Sequence, residues 1–146
     1  MEVVVTQRRI AFISDHASPL PIGGSVDSGG QNVYVAQVAL QLAARGFAVD
    51  VFTRRDRTDV PEVLDWRPGV RVVHVPAGPP EFVRKEDLLP TMRGFGGYVR
   101  DFCGAEGRYE VGVLLGIAQR VDTRPEFARQ HHRAALIADL DQVRVR

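Results

Sequence analysis

The feature that most constrains the fold is a glycine-rich stretch, Gly23-Gly24-Ser25-Val26-Asp27-Ser28-Gly29-Gly30-Gln31-Asn32, set between two apolar segments. Before it, Ile10-Ala11-Phe12-Ile13-Ser14 reads as a short buried strand running Arg9–Ser14. After it, from near Val33, apolar residues recur at helical spacing: Val35, Val38, Ala39 and Leu42 form one stripe, with Gln37, Gln41 and Arg45 on a solvated face. Glycines let a backbone approach a ligand closely, and the first amides of a helix carry the positive end of its dipole. The arrangement therefore suits a phosphate or another anion near Gly29 and Gly30. A tight turn needed only for packing would leave the same pattern.

Asp15–Ile22, with Pro19 and Pro21, reads as loop, and Asp27 or Ser28 is placed to cap the helix. Gly46 follows Arg45 as a helix C-terminal signal. Ala48–Thr53 then forms a second strand, Arg54–Asp59 a charged loop, and Val70–Val75 a third strand closed by Pro76. Strand, helix and strand within about 45 residues make a βαβ unit, hence a parallel sheet with a right-handed crossover. Ligands of such sheets sit at the carboxyl ends of the strands, where His16 and the glycine loop fall. After Lys85-Glu86-Asp87-Leu88-Leu89-Pro90 a second helix carries Met92, Phe95, Val99 and Phe102 on one side, despite Gly94, Gly96 and Gly97. Tyr109–Ile117 reads as a fourth strand interrupted by glycines, and Thr123-Arg124-Pro125-Glu126 as a capping box opening a final helix.

Composition narrows the partners. A net charge of +1 favours neither a nucleic-acid surface nor an acidic partner. The single cysteine, Cys103, excludes an internal disulfide and reads as core. No apolar run approaches the roughly 20 residues of a membrane span, and Ile10–Ser14 is too short for a signal peptide, so the cytoplasm is the expected location. Of the 19 basic residues, all but Lys85 are arginine. That bias fits a GC-rich genome.

Few side chains suggest chemistry, and each has a plainer reading. Asn32 suits a hydroxylated ligand, or a polar residue facing solvent. His16 suits a ligand contact or proton transfer, or a loop cap. Lys85, beside Arg84, suits a phosphate, or an ordinary surface position. Arg54 and Arg55 end the second strand, where an NADP-selective dinucleotide enzyme would place an arginine, though a solvated charged turn is the simpler account. His131-His132 has no second pair at metal-ligand spacing, and no metal site is expected. The glycine spacing is neither G-x-G-x-x-G nor a P-loop, which speaks against an oxidoreductase.

Taken together, Ile13-Ser14-Asp15-His16-Ala17-Ser18-Pro19-Leu20 and Val26–Val35 resemble the N-terminal domain of family-4 retaining glycosyltransferases. Val49–Arg54, Val75-Pro76-Ala77-Gly78-Pro79 and Lys85–Pro90 continue the likeness, which runs from about Arg8 to Val111. The nearest branch holds sucrose-phosphate synthases and the mycothiol-pathway enzyme acting on inositol phosphate. The resemblance implies an α/β fold: an incomplete Rossmann-like parallel sheet, the N-terminal half-domain of a GT-B fold, with helices on both faces. It implies a small-molecule nucleotide-sugar donor, such as a UDP-sugar, as co-substrate, no other cofactor, and a hydroxylated acceptor, with or without a phosphate. On that likeness Gly29 and Gly30 approach the donor diphosphate, while His16, Asn32 and Lys85 meet the acceptor. No catalytic residue is assigned. Residues 1–111 are expected to form an incomplete acceptor-side domain and residues 112–146 a divergent tail, helical or disordered, arising from a shifted reading frame or a fusion. The donor-binding C-terminal domain of relatives is expected to have no counterpart here. The chain alone is therefore expected to be inactive, marginally stable and prone to associate with itself or with a separate C-terminal domain. A non-catalytic sugar-phosphate binding module is the competing reading.

Overall fold

In the computed structural model, residues 7–20, 30–107, 109 and 111–115 are described. The elements are β1 (Arg9–Ser14), α1 (Gly30–Ala44), β2 (Ala48–Arg54), β3 (Val63–Arg67), β4 (Val70–Val75), α2 (Met92–Glu106) and β5 (Val111–Leu115). They build one sheet in the order β3-β4-β2-β1-β5. β1 pairs in parallel with β2 and β5, and β2 with β4. The expected capping residues Asp27 and Ser28, and the capping box at Thr123, lie outside the described residues.

The sheet is mixed rather than wholly parallel, because β3 runs antiparallel to β4. Pro68 and Gly69 join the two strands, with Gly69 at φ 79°, the residue pair that a type II turn asks for. β3 has no place in the sequence-based expectation. Its alternating exposure is that of an edge strand, with Leu64 and Trp66 turned inward between Val63, Asp65 and Arg67.

The two helices cover opposite faces because side chains alternate along a strand. Phe12, Val49, Val51 and Val70 point to one face and pack with Val35 and Ala39 of α1. Ala11, Ile13, Phe52, Val73 and Val75 point to the other and pack with Met92, Phe95, Val99 and Cys103 of α2. Each fully buried valine, isoleucine, methionine or phenylalanine among them contributes about 1.5–3 kcal/mol. Phe102, at the flank of α2, meets Phe52 edge to face at 5.4 Å between centroids. The helical stripe of α1 is as expected: Val35 and Ala39 are buried, Val38 and Leu42 pack against them, and Gln37, Gln41 and Arg45 are exposed. Gly46 ends the helix at φ 90°, a conformation glycine reaches without strain. Cys103 is buried, and burial pushes its thiol up to about 12.

β5 begins at Val111, where the sequence-based reading expected the family likeness to end, and the strand runs on past it. Gly112 does not interrupt it: it pairs with Ala11 as Val113 pairs with Phe12.

At the amino ends of the strands the face under α2 carries a polar cluster. Asp50 of β2 accepts two bonds from Arg71 of β4, at 2.7 and 2.8 Å, and one from the Tyr109 hydroxyl at 2.5 Å. Glu106, at the end of α2, accepts from Arg71 at 3.0 Å and from Arg9 of β1 at 2.9 Å. The carboxylates of Asp50 and Glu106 raise the proton affinity of Arg71, and the guanidiniums of Arg71 and Arg9 hold the Glu106 carboxyl below its ordinary value. Three strands, the end of α2 and the approach to β5 are thus joined by one network.

Candidate functional site

The topology singles out one end of the sheet. From β1 the chain moves through α1 to β2 and on to β4, then returns through α2 to β5 on the far side of β1. The direction of winding reverses between β1 and β5, and crossovers on opposite faces leave a crevice at the carboxyl ends of that pair. Residues following Ser14 of β1, the first turn of α1 and the segment after β4 all stand at this rim.

The loop after β1 is built by short-range bonds. Ser14 Oγ donates to the Ala17 carbonyl at 2.8 Å, and the Leu20 amide donates to Ser18 Oγ at 3.2 Å. Asn32, in the first turn of α1, donates its amide nitrogen to the Ser18 carbonyl at 2.9 Å and so ties the helix start to the loop. That bond uses part of the hydrogen-bonding capacity expected to serve a ligand. Val33 and Tyr34, next in the helix, are 62% and 55% exposed.

His16 forms a pair with its neighbour: Nδ1 lies 3.0 Å from Asp15 Oδ1. In a carboxylate–imidazole contact the ring nitrogen donates, so Nδ1 carries the proton and Asp15 fixes the tautomer. Asp15 is 3% exposed, and its Oδ2 is buried with no hydrogen-bond partner among the described residues. A buried carboxylate oxygen left so is uncommon and costly. Sequence reasoning did not single out Asp15. The available signal was its place, the first charged residue after an apolar strand.

Arg54 corrects two expectations. It belongs to β2, not to a loop, and it is buried at 5% exposure. Its guanidinium donates to the carbonyls of Ala77 at 3.3 Å and Pro79 at 2.6 Å, and to that of Glu81. A guanidinium spent on backbone in this way is neither a solvated turn residue nor a receptor for a nucleotide phosphate. Its own amide donates to the Asp15 carbonyl at 3.0 Å, which ties the end of β2 to the loop carrying His16.

Lys85 opens a short 3-10 turn, Lys85–Asp87, between β4 and α2, and is half-buried. Arg84 beside it is ion-paired with Asp87 at 2.9 Å. Phe82, three residues before Lys85, is 61% exposed. Gly30 is the first residue of α1, while Gly29 lies outside the described residues, as does His131-His132. Thus His16, Asn32, Arg54 and Lys85 come from segments that all leave the carboxyl rim of the sheet. A hollow of about 220 Å³ lies at the opposite end, and Arg9, Asp50 and Arg71 in its lining are held in the polar network. Among the described residues no cluster of His, Cys, Asp or Glu is placed to hold a metal ion, and no helix is long and apolar enough to cross a membrane.

A D-inositol 3-phosphate glycosyltransferase of Corynebacterium jeikeium is 48% identical over 99 residues, which are 68% of this chain and 24% of that protein. One of Geodermatophilus obscurus is 54% identical over 88 residues, 60% of this chain and 20% of that protein. The chain spans 20 to 25% of the length of these curated relatives. Among solved structures, sucrose-phosphate synthase from Thermosynechococcus elongatus superposes with a TM-score of 0.64 at 24% identity, over 93% of this chain and 40% of that one. That likeness makes the fold part of a GT-B fold. The family described as glycosyl transferase 4-like domain matches residues 29–141, and the chain belongs to it.

Proposed function

We propose that this domain is the acceptor half of a glycosyltransferase site, serving transfer of a sugar from a nucleotide-sugar donor to a hydroxylated, phosphate-bearing acceptor. The observation that supports it best is the crevice between β1 and β5, with His16, Asn32 and Lys85 on segments at its rim. The acceptor named for the sequence relatives, D-inositol 3-phosphate, pairs several hydroxyls with one phosphate. On this reading Lys85 meets the phosphate, Asn32 and His16 meet hydroxyls, and Gly29 and Gly30 bring backbone amides towards the donor diphosphate.

A retaining transfer must stabilise the departing diphosphate and the cationic sugar together. The acceptor side alone does not complete that set, so the chain by itself binds acceptor without turnover. Calorimetry with D-inositol 3-phosphate, a sucrose-type acceptor and UDP tests the reading. Binding of the inositol phosphate, weakened by Lys85→Gln, supports it; no binding of any of the three refutes it. Sugar transfer from UDP-sugars by the isolated chain would overturn the expectation of inactivity. A dinucleotide-dependent oxidoreductase is disfavoured by Arg54, whose donors are spent on backbone carbonyls.

A further inference from the structure

We propose that Arg54 is a positioning residue: its buried guanidinium clamps the segment leading to Lys85, and so sets the affinity for a phosphorylated acceptor. The ligand part rests on the acceptor reading above; the clamp does not.

The segment after β4 has no ladder of its own. Its carbonyls at Ala77, Pro79 and Glu81 turn towards the end of β2, and Arg54 receives all three on its fork. Among the described residues these are the bonds its side chain donates, and each goes to backbone. Burial draws the guanidinium's proton affinity down, which marks the cost of placing a charge there. A lysine has a single nitrogen and cannot reproduce the planar fork. An aliphatic side chain would leave three carbonyls without their donor.

Two further contacts fix the same segment. Gly78 is at φ 74°, and a Cβ there would stand 2.7 Å from Thr91 Cγ2, so the backbone is pressed against the entry to α2. Beyond it, Val83 packs against the core and Leu88 is buried within it. Lys85 therefore lies between two anchors, the Arg54 clamp ending at Glu81 and the apolar seat of Leu88, whose amide donates to the Lys85 carbonyl at 3.4 Å. Releasing the first anchor lets the turn carrying the ammonium move relative to the rim. Displacements near 1 Å at a binding group cost up to about 100-fold. Arg54 also holds the other wall, because its amide bonds the Asp15 carbonyl beside His16.

The test is Arg54→Lys in the full chain, with hydrogen exchange and calorimetry. Amides of Glu81, Asp87 and Leu88 should exchange about tenfold faster while those of β1 and β4 are unchanged. Affinity for D-inositol 3-phosphate should fall about tenfold, affinity for unphosphorylated inositol should not change, and Arg54→Lys should add nothing on top of Lys85→Gln. Unchanged exchange in the segment overturns the clamp, whether or not any ligand binds. A loosened segment with unchanged phosphate affinity, or an equal loss for inositol, overturns its role in recognition. If wild type binds neither ligand while exchange responds, the acceptor reading and the recognition role fall and the clamp stands. Should Arg54→Lys fail to fold, Gly78→Ala strains the same segment against Thr91 while keeping the guanidinium, whose Nη1 the new Cβ would only meet at 4.0 Å, and the same outcomes apply to the segment and its role in recognition.

Discussion

Asp50→Asn isolates the polar network at the amino end of the sheet. Asp50 is 2% exposed, and its Oδ2 receives both the Tyr109 hydroxyl, at 2.5 Å, and Arg71 Nη2, at 2.8 Å. Asparagine keeps the shape and one acceptor. It removes the charge and, with Oδ1 retained towards Arg71 Nε, turns the second acceptor into an NH2 group facing two donors. Hydrogen bonds to charged groups contribute about 1.5–3 kcal/mol each, and a buried charge that loses its partner costs about 3–5 kcal/mol. Part of that is recovered, because the Arg71 side chain is 27% exposed and still has Glu106 at 3.0 Å. The expected net loss is about 3 kcal/mol, which lowers Tm by roughly 10 °C in a domain of this size. Urea unfolding followed by circular dichroism, with Tm from the same signal, reads both. Arg57→Ala, at an exposed pair with Asp59, serves as the control and should change nothing measurable. A loss below about 1 kcal/mol for Asp50→Asn would refute the reasoning, since the network would then be no better than a surface ion pair.

Two other outcomes follow from single positions. His74 is buried, its Nδ1 lies 2.6 Å from the Pro61 carbonyl, and burial draws its pKa below the ordinary value. Below the unfolded-state value of about 6.5 the unfolded chain binds the proton first, so stability falls as pH drops through that window; Tm against pH should show it, and His74→Gln should flatten the curve. Gly94 sits in α2, and a Cβ there would meet nothing within 4 Å, so Gly94→Ala should raise stability by about 0.5–1 kcal/mol in urea unfolding, and a loss would show that the glycine is needed for packing.

The parts of the fold that were legible in the sequence are those whose signal is local. Ile10–Ser14 is a continuous apolar run because β1 is central and covered on both faces. The 3.6 period of α1 survives because one face alone meets the sheet. β3 was not legible, since an edge strand of five residues with Asp65 and Arg67 looks like a polar turn. Its one local clue was the alternation of Leu64 and Trp66 with polar neighbours. Arg54 was misread for a different reason. A run of Arg54-Arg55-Asp56-Arg57 looks solvated, and the carbonyls that bury its first member lie more than twenty residues downstream. Asp50 and Arg71 are likewise polar residues flanked by apolar ones within their strands, and only the register that sets them side by side shows that they form a pair. At the candidate site the positions of His16, Asn32 and Lys85 at the carboxyl rim followed from the strand order. Their hydrogen-bond partners did not.

The two ends of the sheet differ in a way that bears on function independently of any likeness. At the amino end every charge brought into the network by β1, β2, β4 and α2 is matched: Asp50 and Glu106 accept what Arg9, Arg71 and Tyr109 donate. Such a cluster holds strands together and offers little to a ligand, although a hollow lies beside it. At the carboxyl end the matching is incomplete. Asp15 keeps a buried oxygen without a partner among the described residues, and Val33, Tyr34 and Phe82 leave apolar surface exposed at the start of α1 and on the segment after β4. Unmatched polar groups and exposed apolar side chains both destabilise a free domain, and they persist where another molecule completes them. The strand order puts the crevice at that same end. Geometry and polar imbalance therefore select one rim of the sheet, and Arg54 ties its two walls together, its guanidinium holding the segment after β4 and its backbone amide the loop after β1.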